Sequence, residues 1–279
     1  MDRRQFLGAS VGAGCLAATA ADGASGPQES VSPAPSPSAI NADRATIHEA
    51  PRRTSVSADV DVLIVGGGLV GSFTALYLAK RGVKGVVVDR DHPGRHASGV
   101  NAGGLRKLNR HPAEIPLTVE AAAIWAHIRE LVDDDCDVKL AGQARVAENA
   151  TDLELLEARA ALVRDLGYDH ERMIGRDELY AKVPALAPHC VGALWCDGDG
   201  YARPYHATTA VRRKAESLGV EFVAGVRVDA IEREGDAWVA ATSAGELRAP
   251  VVVNAAGAWA AIPPSSTCPW PGARCWPGP

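Results

Sequence analysis

The sequence lacks paired cysteines, runs of basic residues and internal repeats. Its six cysteines form no C-x-x-C pair, so a zinc site has little support, and a disulfide framework is not expected in a chain of 279 residues. The net charge of -5 and the absence of a Lys and Arg run argue against a nucleic-acid surface. The remaining composition, 47% hydrophobic and 23% charged residues, is typical of a globular protein with a sizeable core.

The N-terminal residues 1–21 are too short and too rich in glycine to form a membrane-spanning helix. They begin with charged residues that include the pair Arg3 and Arg4, continue as a weakly apolar stretch, and end with small residues. This order is typical of an export signal, and the adjacent arginines predict the twin-arginine type. We therefore expect an exported, periplasmic protein. The alternative is a basic, disordered leader on a cytoplasmic protein.

Two further segments predict no folded element. Residues 22–58 are rich in proline and serine and bury too little apolar surface to offset the entropy of ordering, so they predict a disordered linker. Residues 261–279 hold six prolines and show neither a helical nor a strand period. We interpret them as an irregular tail produced by a shifted reading frame or an artificial end, with a natural flexible tail as the alternative.

The first ordered segment predicts a βαβ unit. Residues 60–65 form a nearly continuous apolar run, which predicts a central parallel strand covered by helices on both faces. Residues 69–81 carry apolar side chains at helical spacing, and Gly82 ends that helix. Residues 85–89 predict a second buried strand.

Other elements are predicted further along the chain. Thr151 and Glu154 form a capping box at the start of a helix that Gly167 ends. Another helix starts near Pro204 and ends at Gly219. The predicted strands are 191–196, 221–223, 226–233, 237–242 and 251–254.

The turn between the first strand and helix predicts a dinucleotide site. Gly66, Gly68 and Gly71 form a G-x-G-x-x-G motif, which allows a tight turn, close approach of a pyrophosphate and close packing of helix on strand. The helix N-terminus directs amide groups and partial positive charge at the phosphates. Asp89 stands at the end of the next strand, where a carboxylate accepts hydrogen bonds from a ribose diol. This spacing does not distinguish FAD from NAD, and an NAD-dependent dehydrogenase remains an alternative.

Several motifs together resemble one flavoprotein family. The stretches D-V-L-I-V-G-G-G-L-V-G, V-V-V-D-R-D and H-A-S-G-V-N-A-G-G-L-R, and the later G-A-L-W-C-D-G-D-G-Y-A-R-P and A-P-V-V-V-N-A-A-G-A-W, are similar to the D-amino-acid oxidase superfamily of FAD-dependent oxidoreductases. The resemblance covers about residues 59–260 and implies an α/β fold. It places a Rossmann-type FAD-binding domain in segments 59–110 and 204–260, with an incomplete α+β substrate domain, 111–203, inserted between them. Because full-length members of that family extend further, the resemblance also implies a C-terminally truncated chain.

The resemblance assigns roles to individual residues around the cofactor. Carried over by position, the residues are Leu69 and Val70 at the pyrophosphate, Asp89 and Arg90 at the adenosine ribose, Ala97, Ser98, Ala102, Gly103 and Gly104 along the diphosphate and flavin edge, Val228 against the adenine, and Ala256 and Gly257 closing over the cofactor. Some relatives hold FAD covalently through a histidine in a region where this chain has Val100 and Asn101, so the resemblance implies noncovalent FAD.

The resemblance also implies a reaction. A hydride passes from the amine-bearing carbon of an amine or amino acid to flavin N5, the imine is hydrolysed, and oxygen or a quinone reoxidises the flavin. An arginine generally holds the substrate carboxylate but comes from the family's C-terminal half. Arg106 and Arg110 remain as candidates, and no catalytic residue is assigned. The alternative function is a non-catalytic, truncated FAD-binding remnant of such an enzyme.

No metal site is expected. His92 and His96 are four residues apart, but Pro93 and Gly94 between them exclude a helical metal-binding pair. Cys190 and Cys196 are interpreted as buried thiols rather than as metal ligands together with His189.

Overall fold

The computed structural model describes residues 60–260, so the predicted signal, linker and tail lie outside the described residues. Within that range the chain forms twelve strands, seven α-helices and two short 3-10 helices. The strands are β1 (Val62–Val65), β2 (Gly85–Asp89), β3 (Gly104–Leu105), β4 (Gln143–Ala147), β5 (Arg172–Gly175), β6 (Gly192–Cys196), β7 (Gly200–Tyr201), β8 (Glu221–Ala224), β9 (Val228–Glu234), β10 (Ala237–Thr242), β11 (Gly245–Ala249) and β12 (Val251–Asn254). The helices are α1 (Leu69–Ala79), α2 (Ala97–Val100), α3 (Ile115–Ala126), α4 (Ile128–Val132), α5 (Ala150–Asp165), α6 (Arg176–Lys182) and α7 (Pro204–Ser217), with 3-10 helices at Pro112–Glu114 and Gly257–Trp259.

A four-stranded parallel sheet organises the fold. Its strand order is β12-β1-β2-β8, so strands from distant parts of the chain lie side by side. Val62 pairs with Gly85 of β2 on one side and with Val251 of β12 on the other. The fold is therefore a mixed α/β structure around a parallel sheet, as the sequence predicted. The strands Gly85–Asp89, Ala237–Thr242 and Val251–Asn254 have the predicted bounds.

The two faces of this sheet are covered differently. Ile64 of β1 packs with Leu76 of α1, Ile128 of α4 and Val211 of α7. Its neighbour Leu63 faces the opposite way and packs into a cluster that includes side chains of the antiparallel sheet β11-β10-β9. The prediction of helices on both faces was therefore wrong for one face. A continuous apolar strand shows that both faces are buried, but it carries no information about which element covers each face.

A second region forms around an antiparallel sheet. Its strand order is β4-β6-β5, and every residue of the central strand β6 is buried. Leu156 and Ala160 of α5 pack against Leu194 and Cys196 on this sheet. The short strand β7 pairs with β3 and so connects this region to the loop that follows α2.

Part of the predicted substrate segment, 111–203, packs with the parallel sheet instead. Trp125 of α3 makes an edge contact with Phe73 of α1, their ring centroids 5.9 Å apart. Ile128 and Val132 of α4 are buried in the same cluster as Ile64. The division into domains stays a prediction, but these helices extend the core of the parallel sheet.

The start of α5 corrects the predicted capping box. The helix begins at Ala150, and Asn149 Oδ1 accepts a hydrogen bond of 2.9 Å from the amide of Asp152. Asp152 Oδ2 in turn accepts from the amide of Glu148 at 3.2 Å. The assignment of Thr151 and Glu154 was therefore wrong. Asparagine and aspartate satisfy the free amides of the first turn as serine and glutamate do, and the helix starts two residues earlier than that box requires.

None of the helices described between residues 60 and 260 has the length and apolar character needed to cross a bilayer.

Candidate functional site

The glycine turn lies at the carboxyl end of β1. Gly66 has a φ of 104°, and a Cβ added there would stand 2.5 Å from the carbonyl oxygen of Ala255. A Cβ at Gly71 would overlap the carbonyl oxygen of Gly66, because α1 packs directly on the turn. Both positions therefore require glycine, and the turn brings the start of α1 close to the end of β12.

The turn presents backbone donors. Gly68 is the N-cap of α1 in an extended conformation, and no acidic residue lies in the first turn of the helix. The first amides of a helix have no partner within it and favour an anion. One of them, the amide of Leu69, donates a hydrogen bond of 2.9 Å to Ser98 Oγ, which connects the turn to α2.

Asp89 stands beside this turn at the end of β2. Its Oδ2 accepts a hydrogen bond of 2.7 Å from the amide of Gly67, and its Oδ1 accepts from the amide of Asp91 at 2.9 Å. A carboxylate has about four acceptor positions, so two remain for hydroxyl donors of a ligand. The turn and the acid are thus brought together, as the sequence predicted.

A cleft of about 740 Å³ opens over the carboxyl edge of the parallel sheet. This volume lies within the range of small-molecule and cofactor sites, roughly 300–1,000 Å³. The predicted site residues that line it are Gly66, Gly68, Asp89, Arg90, Ala97, Ser98, Val228, Ala256 and Gly257. These residues come from both ends of the described chain, and the sheet order β12-β1-β2-β8 brings them to one edge.

The other predicted residues do not line the cleft. Gly71 is buried under the turn, and the side chains of Leu69 and Val70 line a different, apolar groove of about 650 Å³ between α1 and α3. Ala102, Gly103 and Gly104 lie in the loop and short strand that pair with β7. The cofactor contacts assigned to these six residues stay predictions.

Several cleft residues were not predicted. The cleft is also lined by Arg95, His96, Arg227, Asp229 and Trp259. Arg227 Nε lies 2.6 Å from Asp229 Oδ1, whereas within residues 60–260 the exposed side chain of Arg95 has no acidic partner. Arg95 could have been found as a basic residue in a small-residue loop next to a glycine turn, but no sequence pattern connects Trp259 to residues of the β2 loop.

The loop after β2 is fixed by ionic contacts. His96 Nε2 lies 2.7 Å from Asp91 Oδ2, and Arg90 Nε donates to the same oxygen at 3.2 Å. The hydrogen bond from His96, together with the nearby positive charge of both partners, lowers the pKa of Asp91. The carboxylate therefore stays ionised and holds both cleft residues.

The candidate substrate arginines lie outside the cleft. Arg106 is exposed, and Arg110 Nε donates a hydrogen bond of 3.0 Å to the carbonyl oxygen of Arg106. Arg110 also lies 3.8 Å from Glu114. The described residues thus supply a cofactor-sized cleft without assigning a catalytic residue.

The cysteines and histidines noted in the sequence have structural surroundings. Cys190 and Cys196 are buried, and burial next to Asp199 raises the pKa of the Cys196 thiol to about 12. His189 lies 3.3 Å from Glu148 on the surface. His92 Nδ1 lies 2.9 Å from the carbonyl oxygen of Pro93. Among residues 60–260, no group of His, Cys, Asp and Glu has the arrangement of a metal site.

Comparison with known proteins agrees with this geometry. One of the polypeptides of opine oxidase from Rhizobium meliloti is 28% identical over 191 residues, which cover 65% of this chain and 52% of that protein. Glycine oxidase of Geobacillus kaustophilus is 27% identical over 209 residues, 72% of this chain and 55% of that protein. The crystal structure of glycine oxidase from Bacillus cereus has 28% identity and a TM-score of 0.66, covering 72% of this chain and 56% of that chain.

The chain therefore spans little more than half the length of these relatives. A family model described as FAD dependent oxidoreductase (DAO) matches residues 61–269, which include β1, the glycine turn, Asp89 and β12. The match covers most of the chain and all of the cleft residues. The chain belongs to the DAO family of FAD-dependent oxidoreductases.

Proposed function

We propose that this chain binds FAD noncovalently in the cleft over the parallel sheet and takes part in the oxidation of an amine or amino acid. The observation that carries the proposal is the convergence of the glycine turn, the Asp89 carboxylate and the β12 loop on one cleft of suitable volume. Names of relatives such as glycine oxidase and opine oxidase support an amine or amino-acid donor.

The residues of the cleft divide the work of holding the cofactor. The amides at the start of α1 and the exposed guanidinium of Arg95 supply positive charge for the diphosphate. Asp89 accepts hydrogen bonds from the ribose hydroxyls, and the backbone at Val228 lies at the adenine end. When bound, FAD supplies acceptance of a hydride from the amine-bearing carbon.

Noncovalent binding is supported by the residues at the covalent position of some relatives. Val100 and Asn101 have no nucleophilic side chain, and the Asn101 amide donates to the carbonyl oxygens of Ala97 and Ser98. We propose oxygen or a quinone as the final electron acceptor. We also propose export by the twin-arginine route, which the pair Arg3 and Arg4 supports.

A second candidate is FAD binding without turnover. It is favoured by one observation: Arg106 and Arg110, the two candidates for the substrate carboxylate, do not line the cleft, and the relatives are nearly twice as long as the matched region. In this case the purified chain would hold flavin that no amine or amino acid reduces.

Purification of the full chain tests both candidates. Flavin absorbance near about 450 nm that bleaches when amino acids or secondary amines are added without oxygen supports oxidation. Absorbance that no donor bleaches supports the second candidate. A chain that takes up no FAD, although it is folded by circular dichroism, contradicts both.

A further inference from the structure

Trp259 is placed so that it spans the glycine turn. It follows β12, whereas Arg90 follows β2, and these two strands flank β1 in the parallel sheet. The guanidinium carbon of Arg90 nevertheless lies 3.8 Å from the centre of the Trp259 ring. The contact therefore crosses the carboxyl end of β1, where the glycine turn begins.

A single carboxylate orders the partners of this indole. The His96 ring also contacts Trp259, with ring centroids 4.7 Å apart and an interplanar angle of 55°. Asp91 Oδ2 binds both His96 Nε2 and Arg90 Nε. Because one anion holds both partners, the indole meets a preorganised surface on the β2 loop rather than two freely rotating side chains.

The indole also belongs to the cleft. Arg90, His96 and Trp259 all line it, and Trp259 remains 44% exposed. The ring therefore has surface that a ligand in the cleft would cover. The 3-10 helix Gly257–Trp259 that carries it includes Gly257 at a φ of 59°, a conformation that glycine adopts at little cost.

We propose that Trp259 is a cofactor-binding residue and that its contact with Arg90 forms a strap across the mouth of the cleft, covering an adenine dinucleotide after it enters. The proposal rests on the proposed function, since it requires FAD in this cleft. A cation over an indole face is attracted by the ring electrons, most strongly for tryptophan. Breaking the strap must precede release, so its loss acts mainly on the dissociation rate.

The experiment measures how fast FAD leaves the full chain. Wild type, Trp259→Ala, Trp259→Leu, Trp259→Phe and Trp238→Ala are loaded with FAD and diluted, and release is followed as the rise in flavin fluorescence. Trp238 is the matched control, because Arg233 lies 5.7 Å from its ring centre on the antiparallel sheet and neither residue lines the cleft. Circular dichroism and thermal unfolding verify that each variant is folded.

We expect release to be about tenfold faster in Trp259→Ala and Trp259→Leu, as the loss of one cation–π contact predicts. Trp259→Phe keeps an aromatic face and stays within about threefold of wild type, while Trp238→Ala matches wild type. Should Trp259→Ala fail to fold, Trp259→Leu keeps the apolar bulk and decides the question. Release from folded Trp259 variants at the wild-type rate overturns the strap, and a folded wild type that takes up no FAD overturns the proposed function instead.

Discussion

The carboxylate of Asp89 accepts a 2.7 Å hydrogen bond from the amide of Gly67, and this contact joins the end of one parallel strand to the turn that follows its neighbour. The geometry orients the carboxylate towards the cleft, where its unused acceptor positions face the proposed ribose.

Replacing this acid should weaken cofactor binding far more than it affects folding. We expect Asp89→Asn to raise the Kd for FAD by about 10- to 100-fold, because hydrogen bonds to a charged acceptor contribute about 1.5–3 kcal/mol. The measurement is a titration of the FAD-free chain with FAD. Asp61→Asn is a matched control: Asp61 Oδ2 accepts from the amide of Lys84 at the opposite end of the same two strands, and its loss should leave the Kd unchanged. Equal effects of both variants would contradict the role of Asp89.

The close packing of α1 on the glycine turn predicts a steric cost at Gly71. A Cβ there would overlap the Gly66 carbonyl oxygen, so Gly71→Ala should lower the free energy of unfolding by about 1–3 kcal/mol and abolish FAD uptake. Urea denaturation and flavin absorbance give the two readouts. In Gly85→Ala the new Cβ would lie 3.7 Å from the nearest oxygen, so this variant should behave like wild type.

Arg95 offers a test of the diphosphate end of the cleft. Its guanidinium has no acidic partner within residues 60–260, so Arg95→Gln should raise the Kd for FAD several-fold at low salt. The difference from wild type should shrink as salt is added, because salt screens exposed charges. Arg227→Gln is the comparison, since Asp229 already neutralises Arg227. A salt-independent effect of Arg95→Gln would argue against an electrostatic contribution.

A buried ion pair outside the cleft predicts a purely structural effect. Glu171 is fully buried and receives two hydrogen bonds, of 2.8 and 3.0 Å, from Arg159. Glu171→Gln leaves this guanidinium without its counter-charge and should lower the free energy of unfolding by about 3–5 kcal/mol. Thermal and urea unfolding measure the change. The double variant Glu171→Leu with Arg159→Met removes both charges and should recover most of the loss; if it does not, the ion pair is not the cause.

His206 predicts a pH dependence of stability. Its two ring nitrogens lie 3.0 Å from Asp137 Oδ2 and Asp134 Oδ2, and the hydrogen bonds to these carboxylates raise the pKa of His206 from 6.5. The folded state thus favours the protonated ring. The resulting stabilisation is complete below the ordinary histidine value and disappears as the pH rises through the raised pKa.

The difference in the free energy of unfolding between wild type and His206→Gln should therefore be larger at about pH 5.5 than at about pH 9. Denaturant unfolding across this pH range measures it. Replacing Asp134 and Asp137 together by asparagine should remove the same dependence. A wild-type difference that is constant with pH would show that the ring is not held as an imidazolium.

The sequence predicted those features that depend on local pattern. The turn at Gly66, the strand ending at Asp89 and the helix starting at Pro204 each have a chemical requirement that a short motif expresses. Their bounds in the structure agree closely with the prediction. The cofactor contacts themselves were assigned through the family resemblance and remain to be tested.

Features that depend on distant contacts were not predicted. The antiparallel sheet that covers Leu63 could not be distinguished from a helical cover, because strand hydrophobicity reports burial alone. The contact of Trp259 with Arg90 and His96 joins residues far apart in the chain, and no periodic pattern encodes it. The cap at Asn149 was missed because two overlapping polar pairs fit the same helix start, and only the backbone distinguishes them.

The position of β12 beside β1 has a consequence for biosynthesis. One wall of the cleft is made early by the ribosome and the other, carried by Ala256 and Gly257, emerges nearly two hundred residues later. A nascent chain that has only the βαβ unit offers half a site, so FAD is captured only after the late strand has inserted beside the first. Flavin content then reports whether a newly made chain has closed its central sheet, and any step that requires a folded passenger follows that event.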